Sequence, residues 1–301
     1  MAALADTTHT HGSATGSAIA PLAAELVASG SLEMGADTPE DARRIAELLP
    51  AGTPVYVNHL PRYPLEHTLK ALVALREANL EPVPHMAARR VASRSEAQAF
   101  VSSATRLAGV TRMLLIGGDV PQPVGPYADA AALLREDFFA EHGLTQIGLP
   151  GYPEGHAHIP PERLGAAMDE KLALARGHGL VPYVVTQFCF APSRIVEYCA
   201  DLARKAPNVP VYVGLAGPSS PVALLRFAQR CGVSASLRAL QAEGMRAVRL
   251  VTHVDPTDQL MALAHHLHSG GASNVVGVHL YSFGGVARTA RWINERITAR
   301  G

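Results

Sequence analysis

The chain has three cysteines, one tryptophan and no surplus of charge of either sign in 301 residues, and each shortage excludes something. Cys189, Cys199 and Cys231 form no CxxC pair and no even-numbered set. Neither a disulfide scaffold nor a thiolate zinc site is therefore expected, and unpaired thiols suit a reducing cytoplasm. Basic and acidic side chains number 26 each, the formal net charge is zero and the pI is about 7.3. No basic face is expected for nucleic acid or an anionic membrane surface. No apolar run reaches the roughly 18 residues that a membrane-crossing helix needs. The first 17 residues, MAALADTTHTHGSATGS, lack the basic and then apolar order of a secretory signal. They are small and polar, which predicts a disordered tail ahead of one folded unit over 18–301. A glycine-rich G-x-G-x-x-G turn is also missing after the first strand-like run, which reads Glu33-Met34-Gly35-Ala36. That counts against a doubly wound dinucleotide fold.

Hydrophobic residues make up 48% of the sequence, enough for a sizeable core, and they recur in short β-like runs separated by amphipathic helical stretches. The strands expected are Ser31–Met34, Pro54–His59, Val83–Met86, Arg112–Ile116, Gln146–Leu149, Tyr183–Gln187, Val211–Leu215 and Val275–Tyr281. A helix over Ala18–Ser29 precedes them and is expected to plug the barrel's N-terminal end. Thr38–Leu49 should open with Thr38 as N-cap and Pro39 at the first helical position. Leu65, Leu69, Leu72 and Leu75 line one face of the helix Leu65–Ala78. Single helices are expected over Ser93–Leu107, Asp129–His142, Pro161–His178, Ser193–Lys205, Pro221–Arg230 and Pro256–His268, and a last one runs from about Gly285 to Thr298. Eight such units without a linker predict a single closed (β/α)8 barrel.

In a barrel of this kind the polar residues at the C-terminal strand ends face the active site. Those positions hold Glu33, Asn58 and His59, His85, Gly117-Gly118-Asp119, Tyr152, Glu154 and His156, Gln187, and His279 and Tyr281. Charged groups there are costly to desolvate, so their joint occurrence points to a site. His156-Ala157-His158 and His265-His266 invite a metal, but no acidic or cysteine partner stands at ligand spacing, and no metal is expected. Gly284-Gly285 is expected to start a helix with exposed N–H groups able to meet a phosphate.

The segments SLEMGADTPE, EPVPHMAARR, MLLIGGDVPQP, GYPEGHAHIP and VVTQFCF occur in this order. Together they resemble the methylenetetrahydrofolate reductase family, over about Ser31 to Trp292, in its short, catalytic-domain-only bacterial form. The resemblance implies a (β/α)8 oxidoreductase that interconverts 5,10-methylenetetrahydrofolate and 5-methyltetrahydrofolate, with hydride passing from NAD(P)H through FAD. It makes Glu33 the general acid and Asp119 the stabiliser of a cationic iminium. Gln187, Phe227 and Tyr281 fall on the folate side, although Phe227 in LLRFAQRCG also reads as a helix core residue. The cofactor side takes Asn58, His59, His85, Gly117, Gly118, Tyr152, Glu154, His156 and Asp169, and Arg176 stands where relatives carry a phosphate-binding lysine.

Three departures from the family fall on the flavin side. Gly117-Gly118-Asp119 replaces Arg-Gly-Asp, so a guanidinium is missing. Strand two ends Val57-Asn58-His59-Leu60-Pro61-Arg62 rather than in a serine- and threonine-rich turn. Leu172 stands where an asparagine is common. Direct hydride transfer from NAD(P)H without flavin, and a pterin-binding methyltransferase, are therefore the alternatives. The exposed barrel helices allow a homo-oligomer.

Overall fold

The computed structural model describes residues 14–36, 38–59, 64–231, 233 and 255–299. Eight parallel strands close into a barrel in sequence order. They are β1 (Ser31–Met34), β2 (Pro54–Val57), β3 (Glu81–Ala87), β4 (Arg112–Ile116), β5 (Gln146–Gly151), β6 (Val181–Thr186), β7 (Val211–Ala216) and β8 (Val275–Tyr281). Closure comes from β1 lying on β8, with Ser31 opposite His279 and Leu32 opposite Leu280. The expected (β/α)8 barrel is what the chain forms.

Around the strands lie α1 (Ala14–Ala28), α2 (Asp41–Ala46), α3 (Leu65–Glu77), α4 (Arg94–Ala108), α5 (Ala130–Leu134) and α6 (Phe138–Glu141). They are followed by α7 (Pro161–Gly177), α8 (Pro192–Lys205), α9 (Pro221–Cys231), α10 (Thr257–His268) and α11 (Val286–Thr298). The main core is the layer between strands and helices, filled by residues such as Leu32, Met34, Val55, Val57, Leu72, Phe138 and Ile293. α1 packs on α10, α11 and β8, and its buried residues belong to this outer layer. It therefore does not plug the barrel's end, as expected from sequence. It begins at Ala14 rather than Ala18, and the remainder of the expected tail, residues 1–13, lies outside the described residues.

The barrel interior is separate and unusually aromatic, with Tyr56, Val83, Leu114, Tyr183 and Val185 packed together. Gly148 makes room for this layer, because a Cβ there would come 2.7 Å from the Tyr183 ring. Gly214 is tighter still, with a virtual Cβ 2.0 Å from the Thr186 carbonyl oxygen. At the base of the barrel Arg112 bonds Glu81 at 2.6 Å, closing off the end remote from the strand tips.

Several local expectations are corrected. β3 starts at Glu81, two residues early, although Pro82 and Pro84 bring no N–H to the ladder. The expected helix Asp129–His142 is two short helices. Asp129 caps the first by accepting from the Ala132 N–H at 2.8 Å. At the break between them Glu136 and Asp137 bond Arg94, at 3.0 and 2.6 Å. Thr38 and Pro39 do not start α2. Their carbonyls accept from Asp41 and Ala42 in a preceding turn, and the helix opens at Asp41 without a side-chain cap.

Candidate functional site

β1 reads Ser-Leu-Glu-Met, and the two-residue period of a strand sends Leu32 and Met34 outward into the helix layer while Ser31 and Glu33 face the interior. Glu33 is the innermost carboxyl of the mouth. Its side chain keeps 19% of its exposure, and the His85 Nε2 stands 4.0 Å from its Oε2. Burial pushes the Glu33 carboxyl up from 4.5 to about 7, against a smaller opposing pull from the Asn58 amide. The Asn58 Nδ2 donates to Glu33 Oε1 at 3.5 Å. His85 does not neutralise the acid as a cation would. Burial, and then the neighbouring His59, hold its pKa near 3, so it is a neutral imidazole. His85 Nε2 and Asn58 Oδ1 are enclosed and have no partner among the described residues. The mouth thus offers a carboxylic acid that holds its proton near neutrality, flanked by an uncharged ring and an amide.

Beneath Glu33 lies a polar layer in which Tyr56, Tyr183 and Ser31, not singled out in the sequence, join His85 and His279. Tyr56 donates to the Tyr183 hydroxyl at 3.1 Å. Its ring meets His85 and His279 edge-on, at centroid distances of 5.8 and 4.6 Å. His279 pairs through Nδ1 with the Ser31 hydroxyl at 2.8 Å, and burial together with His85 keeps it neutral. The alternation Ser31/Glu33 and His279/Tyr281 was the available signal. The β1–β8 register that brings Ser31 to His279 was not readable.

Asp119 lies on the other side of the mouth, past β4, and is 59% exposed. It forms an ion pair with Arg90, the last residue of a single 3-10 turn (Ala88–Arg90) that follows β3. A guanidinium therefore does reach Asp119, from the turn after the neighbouring strand, although Gly117 stands where the resembled family carries an arginine. Arg90 also donates to the His59 carbonyl. Burial, and then Arg90, lower the His59 imidazole to about 4, and its Nδ1 accepts from the Ala87 N–H at 3.3 Å. Arg89 points the other way and binds the carbonyls of Val120 and Ala128, at 2.9 and 2.8 Å. Gly117 has open space where a Cβ would stand, and Gly118 adopts φ +96°.

The folate-side residues of the sequence reading also gather at the mouth. Gln187 follows β6, and its Oε1 accepts from the Phe188 N–H at 3.1 Å. Tyr281 donates to the Thr186 carbonyl at 3.0 Å, so its hydroxyl is anchored to the barrel wall. Phe227 is half-buried on α9 and lies 4.7 Å from Phe283, in a cluster with Phe188 and Tyr281. It is thus a packed aromatic, as its alternative reading as a helix core residue expected.

The cofactor-side residues split into two groups. Tyr152 and His156 meet edge-on at 5.2 Å beyond β5, and Glu154 accepts from the Cys189 thiol at 3.1 Å. Asp169 and Arg176 stand on the following helix. Both are exposed on α7, and Arg176 sits in its last turn, about 22 Å along the axis from Pro161 at about 1.5 Å per residue. Its carbonyl accepts from Gly179, just before β6 begins, which puts it at the end of the barrel opposite the mouth. No group of three His, Cys, Asp or Glu among the described residues is placed to hold a metal.

No family model matches the chain. Among solved structures it is similar to a putative phosphonomutase from Burkholderia cenocepacia, at 13% identity and a TM-score of 0.50, over 89% of this chain and 92% of that one. It is also similar to a Yersinia pestis DHPS with a pterine-sulfa conjugate, at 11% identity and a TM-score of 0.47, over 90% and 93%. A dihydropteroate synthase from Thermus thermophilus in complex with 6HMPPP matches at 15% identity and a TM-score of 0.46, over 90% of each chain. Likeness at these identities extends to the barrel fold alone. No described helix is long and apolar enough to cross a membrane.

Proposed function

We propose that this barrel is an oxidoreductase of the methylenetetrahydrofolate reductase type, interconverting 5,10-methylenetetrahydrofolate and 5-methyltetrahydrofolate with NAD(P)H as the source of hydride. The observation that carries the reading is Glu33, a strand-end carboxyl held protonated near neutrality at about 7. The five-membered methylene bridge must open before it is reduced. Glu33 donates its proton to N10, the carbon–N10 bond breaks, and an N5 iminium cation remains. Hydride from the dihydronicotinamide then attacks the methylene carbon and gives the methyl group. Glu33, left as a carboxylate, takes its next proton from solvent through the mouth. Asp119 supplies negative charge toward the iminium, and the Gln187 amide is placed to hydrogen-bond the pterin edge.

Transfer through FAD is what the family resemblance implies, but the described cations near β3 and β4 do not fit a flavin diphosphate. Arg89 and Arg90 are committed to protein acceptors, and Arg176 lies at the far end of α7. Those residues favour direct transfer from the nicotinamide, so no step is derived through flavin. The test follows NADH oxidation by purified protein with 5,10-methylenetetrahydrofolate, beside a visible spectrum and added FAD. A colourless protein that turns over, with Glu33→Gln inactive, is the expected result. Absence of folate-dependent NADH oxidation refutes the reading. A yellow protein that loses activity on flavin removal restores the flavin route.

A further inference from the structure

We infer that Arg90 is a positioning residue for Asp119, and this rests on the reading of Asp119 given above. The asymmetry of the pair carries the inference. Arg90 retains 9% of its side-chain exposure and Asp119 retains 59%. The guanidinium is the fixed member, held from behind by the His59 carbonyl, with its Nε enclosed and without a partner among the described residues. The carboxylate is the member that faces the mouth. It stands on a loop whose two preceding residues are glycines, one of them at φ +96°, and such a backbone does little by itself to restrict where a side chain points.

Stability gives no reason for this arrangement. Surface ion pairs contribute little, whereas burying a guanidinium with one donor unpaired is costly. The contrast with Arg112 is useful. That arginine also pairs with a carboxylate, Glu81, but at the closed base of the barrel, where the pair seals the structure. Arg90 instead joins three strand ends. Its own turn follows β3, its carbonyl partner His59 follows β2, and its carboxylate partner follows β4. The backbone repeats the link, since the Arg89 N–H donates to the Gly117 carbonyl at 2.9 Å. Arg90 thereby fixes the direction of the Asp119 charge and supplies from β3 the guanidinium that Gly117 leaves out. Because the pair is a dipole and not a lone charge, its field on a cation depends steeply on orientation. Losing the arginine should therefore disturb the reaction step more than binding.

The test is a double-mutant cycle on folate-dependent NADH oxidation, with Asp119→Asn, Arg90→Met and their combination. Arg90→Met should lower kcat by at least about thirtyfold and change KM for the folate by less than about threefold. Added to Asp119→Asn, it should cost less than about twofold more, since the partner through which it acts is already gone. Arg90→Lys keeps the charge and should recover part of kcat, and it replaces Arg90→Met in the cycle if the latter does not fold. Multiplying losses in the double variant, or full kcat in Arg90→Met, overturn the proposal. A wild-type protein without folate-dependent turnover refutes the functional reading instead. The positioning is then read by hydrogen exchange over residues 117–120, where Arg90→Met must speed exchange and Asp119→Asn added to it must not speed it further. Unchanged exchange in Arg90→Met overturns it.

Discussion

Replacing Glu33 by glutamine should make the protein more stable, and by an amount that depends on pH in one specific way. The carboxyl is pushed from 4.5 to about 7 by burial, so the folded state binds this proton more tightly than the unfolded chain does. The corresponding stability is fully present below about pH 4.5 and is lost as pH rises through about 7. At about 1.4 kcal/mol per unit of pKa, the loss reaches about 3 kcal/mol above pH 7. Glutamine has the same shape, does not titrate and still offers an oxygen to the Asn58 amide, 3.5 Å away in the wild type. The difference in unfolding free energy between Glu33→Gln and wild type should therefore be near zero at about pH 4.5 and climb to about 3 kcal/mol at about pH 8. Other titrating groups are common to both proteins and cancel. The assay is urea unfolding of both proteins at stepped pH, with equal m-values as the control for a shared two-state transition. Parallel stability curves from acid to alkaline pH would refute the assignment of a proton-holding acid, and with it the basis for Glu33 as proton donor. Folate turnover by Glu33→Gln should fall by at least about a thousandfold, as removal of a required general acid implies.

Two more predictions concern the frame around that acid. His59, His85 and His279 are held neutral, at about 4, about 3 and well below 6.5, so the unfolded chain takes up protons there before the folded one. Stability should fall as pH drops below about 6.5, by up to about 3 kcal/mol per pH unit once the opposing proton on Glu33 is counted. Urea midpoints that stay level from about pH 6.5 to 5 would contradict it. Gly214→Ala places a Cβ 2.0 Å from the Thr186 carbonyl oxygen, and nothing within 4 Å meets one at Gly117. Gly214→Ala should cost more than about 3 kcal/mol in chemical unfolding and Gly117→Ala less than about 1. Similar stabilities for the two would refute the packing argument.

Legibility in the sequence followed the range of the interaction. The strands were readable because alternation and length are local, and β1, β4 and β8 fall on the expected residues. β3 was expected only from Val83, yet the barrel carries the strand back to Glu81 and pairs Pro82 and Pro84 with Val55 and Val57 of β2. The helix expected over Asp129–His142 is interrupted where Glu136 and Asp137 bond Arg94, some 40 residues earlier in the chain and out of reach of a local pattern. Site residues divide in the same way. Glu33, His85 and Gln187 were legible because a strand end fixes where a side chain points. Arg90 was overlooked because it follows its strand by three residues, in a turn whose direction only the fold decides. Arg176 was carried over from the family resemblance, and matching a position along a helix does not say which end faces the mouth.

The two carboxyl groups of the site are made different by what each neighbours, and the proposed chemistry needs that difference. Glu33 stands over an interior of Tyr56, Tyr183, His85 and His279 that contributes uncharged hydrogen-bonding groups, with the Arg112–Glu81 pair below them at the barrel base, its guanidinium 6.0 Å from the Tyr183 ring centroid. A cationic imidazole at the 4.0 Å of His85 would pull the Glu33 proton off. Burial prevents that by keeping the imidazole neutral, so the histidines preserve the acid by being unable to protonate. Asp119 is arranged the opposite way, solvent-facing and fastened to a guanidinium. A proton donor and a fixed negative charge, on opposite sides of one mouth, are the pair that the proposed opening of a bridge to a cation requires. Exchanging the environments would leave both carboxyls present and remove both roles. The burial around Glu33 and the arginine beneath Asp119 therefore belong to the site as much as the carboxyls do.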